Sequence, residues 1–299
     1  SLITLIIMKK TISFLGLGKM GAVMAPLFLQ AGHQLTVYNR DPKKATALVD
    51  QGAKLACSPQ QACDSSDFIF TMLSDDKAIQ SVFFDNKGLL STDVTGKLFI
   101  DMSTLQVETV KILSDAVIKQ GADFIDAPVS GTVAPAAEGK LMFFCGGEAA
   151  VIERATPLLE ILSRRIIHAG DIGSGALLKL VVNLPLAVYW QSLAEAVRLG
   201  SSGGLNEDLM LDAIADSSAA LAVLSMKIPT ILGADLPVAF DMKSMEKDLN
   251  SILTTAQQLN LELPTTTSTL RSYSEAIEKG DMGDKDAVTV VNYLKNKAK

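Results

Sequence analysis

Lys179 and Asn183 are the two polar residues where the run from Asp171 to Gly200, DIGSGALLKLVVNLPLAVYWQSLAEAVRLG, is most apolar. Four positions apart on a helix, they share one face, one turn from each other. An ammonium there can stabilise negative charge growing on a carbonyl oxygen and then surrender a proton, while the amide holds the lysine or a substrate oxygen. A purely structural helix could carry the same pair, with Lys179 snorkelling to water and Asn183 capping a neighbour's backbone. A second stretch separates the two readings. GLGKMG, Gly16 to Gly21, directly follows TISFL (Thr11 to Leu15) and runs into AVMAPLFLQAG, the strand, glycine turn and helix order of the dinucleotide fingerprint. Gly16 allows the tight turn, Gly18 lets backbone approach a pyrophosphate, and Gly21 lets the helix pack close to the sheet. Leu17, Lys19 and Met20 complete the loop, which places phosphates at the positive end of the helix. Gly32 ends that helix, and QLTVY (Gln34 to Tyr38) supplies the second strand of a βαβ unit.

The end of the second strand is where an acid normally holds the adenosine ribose. This chain has Asn39-Arg40 there, and an arginine fork suits the 2′-phosphate of NADP, with Lys43 or Lys44 adding charge. The competing reading leaves Arg40 in solvent and has Asp41 bind NAD. Two further loops, Leu73-Ser74 and Ser103-Thr104, fall beyond strand ends and are expected at the cofactor. DAPVSGTVAPAAEGKL, Asp126 to Leu141, offers Ser130, Gly131 and Thr132 as hydroxyl and backbone donors for a small carboxylate; an ordinary capped turn has the same composition.

These residues need a scaffold, and the pattern of the chain supplies one. FIFTML (Phe68 to Leu73), LFID (Leu98 to Asp101), FIDA (Phe124 to Ala127) and MFFC (Met142 to Cys145) read as strands. Asp75 to Phe84 and Gln106 to Gln120 read as helices, so the first half is a Rossmann-type doubly wound α/β sheet. Beyond Gly200 the pattern is helical: SSGGLNEDLM breaks one helix and caps the next, LMLDAIADSSAALAVLSMKI continues, Asp248 to Leu261 and Ser268 to Lys279 follow, PTTT (Pro264 to Thr267) reads as a loop, and a last amphipathic helix ends the chain. The expectation is an α/β domain over residues 8–170 and an all-α domain over residues 171–299, joined by the long helix, which Pro185 should bend.

Composition narrows the function classes. A net charge of −6 argues against a general nucleic-acid binder. Three cysteines without CxxC spacing fit a reducing, cytoplasmic setting, and two histidines give no basis for a metal site. The opening SLITLIIMKK is too short to span a bilayer and lacks a basic lead, so Met8 is read as the natural start. Lys179, Asn183, Glu195 and Arg198 interrupt the long helix too often for a membrane span.

GLGKMG with NR after the second strand, IDMST (Ile100 to Thr104), DAPVSGT with AEGKL and Gly146-Gly147, GSGALLKLVVN, and MEKDL (Met245 to Leu249) stand in the order of the β-hydroxyacid dehydrogenases. From Met8 onward the chain resembles that family, and NR with KLVVN resembles its NADPH-dependent glyoxylate and succinic semialdehyde reductase branch more than the NAD-dependent 3-hydroxyisobutyrate enzymes. The resemblance implies that Lys179 is the catalytic lysine, Asn183 its partner, Ser130 and Gly131 the holders of a substrate carboxylate, and Lys247, beside Asp248, a group near the nicotinamide. Thr132 departs from the usual glycine, which narrows the pocket or adds a hydroxyl. The resemblance also implies an all-helical second domain used to form a homodimer or homotetramer. Among relatives of this architecture, imine reductases generally replace the lysine, 6-phosphogluconate dehydrogenases are much longer, and non-catalytic dehydrogenase-like modules have lost the lysine. Lys179, Asn183 and Lys247 together favour an enzyme acting on a small aldehyde or β-hydroxyacid.

Overall fold

The computed structural model describes residues 9–297; the expectation that Met8 is the start lies outside them. The first half builds one nine-stranded sheet from β1 (Thr11–Leu15), β2 (Gln34–Tyr38), β3 (Lys54–Leu55), β4 (Phe68–Thr71), β5 (Leu98–Asp101), β6 (Asp123–Asp126), β7 (Val129–Ser130), β8 (Leu141–Gly146) and β9 (Ser163–Gly170). Its order is β3-β2-β1-β4-β5-β6-β8-β7, with β9 paired to β8. The six strands from β3 to β6 are parallel, β8 runs antiparallel to β6 and β7, and β9 is parallel to β8. Reversal of strand order at β1 and β4 makes this a doubly wound sheet with a switch point.

Alternation along the strands explains why both faces are covered. In β4, Phe68 and Phe70 join one core while Ile69 joins the other; in β5, Leu98 and Ile100 join the first and Phe99 the second. Period-two side chains on a sheet buried on both faces give such near-continuous apolar runs. Phe14, Phe28 and Phe70 pack ring on ring in the first core, and Phe83 meets Phe99 in the second.

The helix Ser174–Ser202 runs without a break through Pro185, and the division between the two compact units falls inside it, between Lys179 and Leu180. The second unit is helical: Glu207–Ala215, Leu224–Ile231, Met242–Gln258, Pro264–Gly280 and Val290–Asn296 follow the remainder of the long helix. Its core is a single cluster around Trp190, Val197, Leu211, Met245, Leu249, Tyr273 and Val291. The Tyr273 hydroxyl donates to the Ala287 carbonyl oxygen at 2.9 Å, which resolves the one polar atom of a fully buried ring.

Several expectations are corrected. β9, SRRIIHAG, was not foreseen: it is an edge strand with exposed arginines and carries no apolar alternation. Leu209 to Ile228 is two helices rather than one, separated at Asp216 to Val223. Pro264 to Thr267 is the first turn of a helix, not a loop, because a proline at the start of a helix gives up an N–H that has no partner there anyway. MEKDL lies within the helix Met242–Gln258, which begins at an Asp241 cap. By length and composition alone Ser174–Ser202 could cross a membrane despite its polar residues: one 18-residue stretch of it has a mean hydropathy of 1.3, and 39% of that stretch is buried. Such values also describe the core helix of a soluble protein, and Ala187, Trp190, Ala194 and Val197 of this helix belong to the second unit's core.

Candidate functional site

All strands from β1 to β6 except β3 are followed by a loop singled out in the sequence, and because they are parallel the loops leave the same edge of the sheet. At the end of β1, Gly16 has φ +103°, and a Cβ there would collide with the Met72 carbonyl oxygen. A Cβ on Gly21 would collide with the Gly16 carbonyl oxygen and press on the Phe14 ring, so the helix Gly21–Gln30 starts hard against the strand end. Gly18 is different: a Cβ there would meet nothing within 4 Å. The loop closes on itself at its first and third glycines and turns its middle one outward, the cradle a pyrophosphate needs. Gly18 and Lys19 are exposed, Met20 half-buried and Leu17 buried.

Asn39 and Arg40 follow β2, and they divide the labour. The Leu17 N–H donates to Asn39 Oδ1 at 2.9 Å, and Asn39 Nδ2 donates to the Asp41 carbonyl oxygen at 2.8 Å, so Asn39 ties the glycine loop to the next loop. Arg40 is exposed. Asp41, the acid that would hold the ribose of NAD, accepts the Lys43 N–H through Oδ1 at 3.1 Å and caps the short turn that follows.

The loops after β4 and β5 are tied through a buried acid that was not foreseen. Asp101, at the end of β5 and 1% exposed, receives Thr71 Oγ1 at 2.8 Å, Ser103 Oγ at 2.7 Å and the Ser103 N–H at 3.3 Å, all on Oδ1. Ser103 Oγ in turn accepts the Leu73 N–H at 2.9 Å. Leu73, half-buried, is therefore held by this network; Thr104, also half-buried, follows Ser103, and Ser74 is exposed with its hydroxyl donating to Asp75 at 2.6 Å. Asp101 Oδ2 is buried without a hydrogen-bond partner. Burial pushes the Asp101 carboxyl up to about 7, against the bonds from Ser103 and Thr71, and the charge of Asp126 pushes the same way.

Asp126 ends β6, beside Asp101 in the strand register, and is fully buried. Its Oδ1 accepts the Gly173 N–H and its Oδ2 the Ala176 N–H, each at 2.8 Å, so one carboxyl satisfies two of the free donors that open the helix Ser174–Ser202. Burial raises its carboxyl, and the backbone N–H bonds pull against that rise. Gly146 and Gly175 fit this contact: a Cβ on Gly146 would collide with Asp126 Oδ1, and one on Gly175 with the Phe144 carbonyl oxygen. Lys179, half-buried, stands three residues past the clamped Ala176 and belongs to the same unit as the sheet.

Ser130, half-buried, lies in β7 opposite Met142 of β8. Gly131 has φ +136°, and a Cβ there would meet Leu141 Cδ2 at 2.6 Å. Thr132 is exposed, at φ −102°, and opens the short helix Val133–Ala137 without a side-chain cap bond. The backbone thus demands glycine at position 131 and not at 132.

In the second unit, Asn183 is buried and its Nδ2 donates to Asp248 Oδ2 at 2.7 Å. Lys247 Nζ lies 3.0 Å from Asp248 Oδ1, a charge contact whose geometry falls short of a hydrogen bond. A carboxylate can only accept, so it fixes the amide with its NH₂ toward Asp248 and its oxygen turned away. Asp248 was named from the sequence only as the acid beside Lys247; its hold on Asn183, 65 residues away, is a tertiary contact with no signal in spacing.

Residues 11–170 match the family model described as the NAD binding domain of 6-phosphogluconate dehydrogenase, and residues 173–294 that described as NAD-binding of NADP-dependent 3-hydroxyisobutyrate dehydrogenase. Glyoxylate/succinic semialdehyde reductase 1 of Arabidopsis thaliana is 32% identical over 95% of this chain and 98% of its own length. The 3-hydroxyisobutyrate dehydrogenase of Pseudomonas aeruginosa is 36% identical over 85% of this chain and 87% of its own. Among solved structures, Mycobacterium tuberculosis 3-hydroxyisobutyrate dehydrogenase with L-serine superposes with a TM-score of 0.87 at 29% identity, covering 96% of this chain and 100% of that one.

Proposed function

The chain belongs to the β-hydroxyacid dehydrogenase family, an oxidoreductase of CH–OH donors that binds a nicotinamide cofactor, and from that premise we propose that it is an NADPH-dependent reductase of small carboxylated aldehydes of the glyoxylate or semialdehyde type. The observation that supports this reading is the clamp of Asp126, at the end of β6, on the first turn of the helix that carries Lys179, within the unit that also carries the glycine loop. The open space over Gly18 fits a dinucleotide, to be held by residues 16–21, by Asn39 and Arg40, and by Leu73, Ser74 and Thr104. When bound, the nicotinamide supplies or takes up a hydride. Lys179 donates to the carbonyl oxygen as charge grows there and yields its proton as general acid. Ser130, Gly131 and Thr132 receive the substrate carboxylate, Asn183 orients the lysine or a substrate oxygen, and Lys247 serves the cofactor.

Exposed Arg40, with Asp41 engaged as a cap, supports NADP over NAD. Oxidation of a 3-hydroxy acid with NAD is the second reading, supported by the 36% identity to the Pseudomonas enzyme. Domains at residues 8–170 and 171–299 and a homodimer or homotetramer formed by the helical unit are parts of the proposal; exposed Leu199, Leu205 and Leu209 of that unit support self-association. So is a reducing, cytoplasmic setting, supported by three free thiols, two of them buried.

The test is oxidation of NADPH, and separately NADH, by the purified chain against glyoxylate, succinic semialdehyde and methylglyoxal. Turnover of the two carboxylated aldehydes with preference for NADPH is expected, and Arg40→Ala should erode that preference. Preference for NADH in the parent chain moves the reading to hydroxyacid oxidation.

A further inference from the structure

Two buried carboxyls stand side by side at the ends of β5 and β6, and neither belongs to the residues that meet cofactor or substrate. Neighbouring strands hold such residues about 5 Å apart, too close in a dry interior for both to carry charge comfortably. Their hydrogen bonds are unequal. Both oxygens of Asp126 accept backbone N–H groups at the positive end of a helix, which is a site for an anion. Only Oδ1 of Asp101 is served; Oδ2 is buried without a partner, where an ionised carboxylate would leave charge unsolvated and a proton would cancel it.

We propose that Asp101 and Asp126 are an unequal pair of positioning residues, Asp126 acting as a carboxylate that locks the first turn of the Lys179 helix and Asp101 as a neutral acid whose Oδ1 binds the loops after β4 and β5 together. The pair sits beneath the proposed site, and this inference rests on the reading of Lys179 and of the Leu73 to Thr104 loops given above. The elevation of Asp101 to about 7 by burial and by the charge on Asp126 agrees with that division. Asp126 is the titratable group that faces Asp101 from β6, and Thr71 and Ser103, which face it from the loops and β4, do not titrate. As a coupled pair the two titrate in macroscopic steps that belong to the pair.

Asparagine is a near-isostere of the neutral acid, so the two positions respond oppositely to the same exchange. Asp101→Ala removes the acceptor of three donors and should weaken NADPH binding about tenfold, and Asp101→Asn should restore most of that affinity. Asp126→Asn turns an NH₂ onto a backbone N–H, so kcat should fall about tenfold with the KM for the aldehyde and the affinity for NADPH little changed. Stability gives a readout independent of activity: a carboxyl raised from 3.8 to about 7 in the folded chain adds stability present below pH 4 and lost as pH rises to about 7. The unfolding midpoint should fall over that window in the parent chain, and Asp101→Asn should flatten the fall. Carbon-13 NMR of carboxyl-labelled aspartate in the unmutated chain decides the matter even where a variant fails to fold. A carboxyl that titrates near neutrality and disappears in Asp101→Asn is expected. Asp101 ionised throughout pH 5 to 8, Asp101→Asn as damaging as Asp101→Ala, or Asp126→Asn with unchanged kcat overturns the proposal. Failure of the parent chain to reduce any aldehyde would instead count against the functional reading, since NADPH binding, the unfolding midpoint and the carboxyl resonances are read without turnover.

Discussion

Asp126 in the first unit and Asp248 in the second are both buried carboxyls bonded to the same long helix, and they hold it by different means. Asp126 grips backbone N–H groups, so its hold is indifferent to the side chains on the helix and requires only that glycines make room. Asp248 grips one side chain, the amide of Asn183, so its hold on the helix exists only while that residue does. The first kind of contact fixes where a helix begins; the second fixes which way a particular group faces.

Removing what the two acids position gives the largest effect. Lys179→Ala should lower turnover by on the order of a hundredfold or more with an unchanged circular dichroism spectrum; near-normal turnover would strip the backbone clamp of its purpose. Asn183→Ala should lower turnover about tenfold, less than the lysine change, and a larger loss would exchange the roles of the two residues. Asp248→Ala should cost about 1–3 kcal/mol by leaving a buried amide without its acceptor, seen in the denaturation midpoint. Asp248→Asn should cost less, since one amide can still accept from another; equal losses would mean that charge, through Lys247, is what matters there. Lys247→Ala should cost least in stability, about 0–1 kcal/mol, because its ammonium is still partly in water at 27% exposure. Its expected signature is a higher KM for the cofactor.

The same contrast explains what could be read from the sequence. Thr11 to Leu15, Gln34 to Tyr38 and Leu98 to Asp101 are strands with the bounds expected from composition, because short runs rich in β-branched and aromatic residues beside turn residues favour a strand. Lys179 and Asn183 stood out because a polar side chain on an apolar helix is visible wherever it occurs. Asp101 and Asp126 lie inside IDMST and DAPVSGT; Ser103 bonds Asp101 from two residues on, but the bond from Thr71 to Asp101 and those from Gly173 and Ala176 to Asp126 join residues far apart in the chain, and no spacing rule encodes them. β9 is hidden for a related reason: it is a strand by virtue of pairing with β8, with Arg164, Arg165 and His168 exposed and none of its residues fully buried. The break at Asp216 to Val223 falls in a stretch, DSSAALAV, whose alanines and leucine keep the helical pattern going where the chain turns.

The neighbours Asn39 and Arg40 are consecutive residues with different surroundings. Asn39 points inward as the acceptor for the Leu17 N–H, and Arg40 points into solvent. On the proposed reading of Arg40, retargeting the cofactor turns on position 40, which is exposed, whereas position 39 needs a replacement that keeps an acceptor for the Leu17 N–H, aspartate first among them.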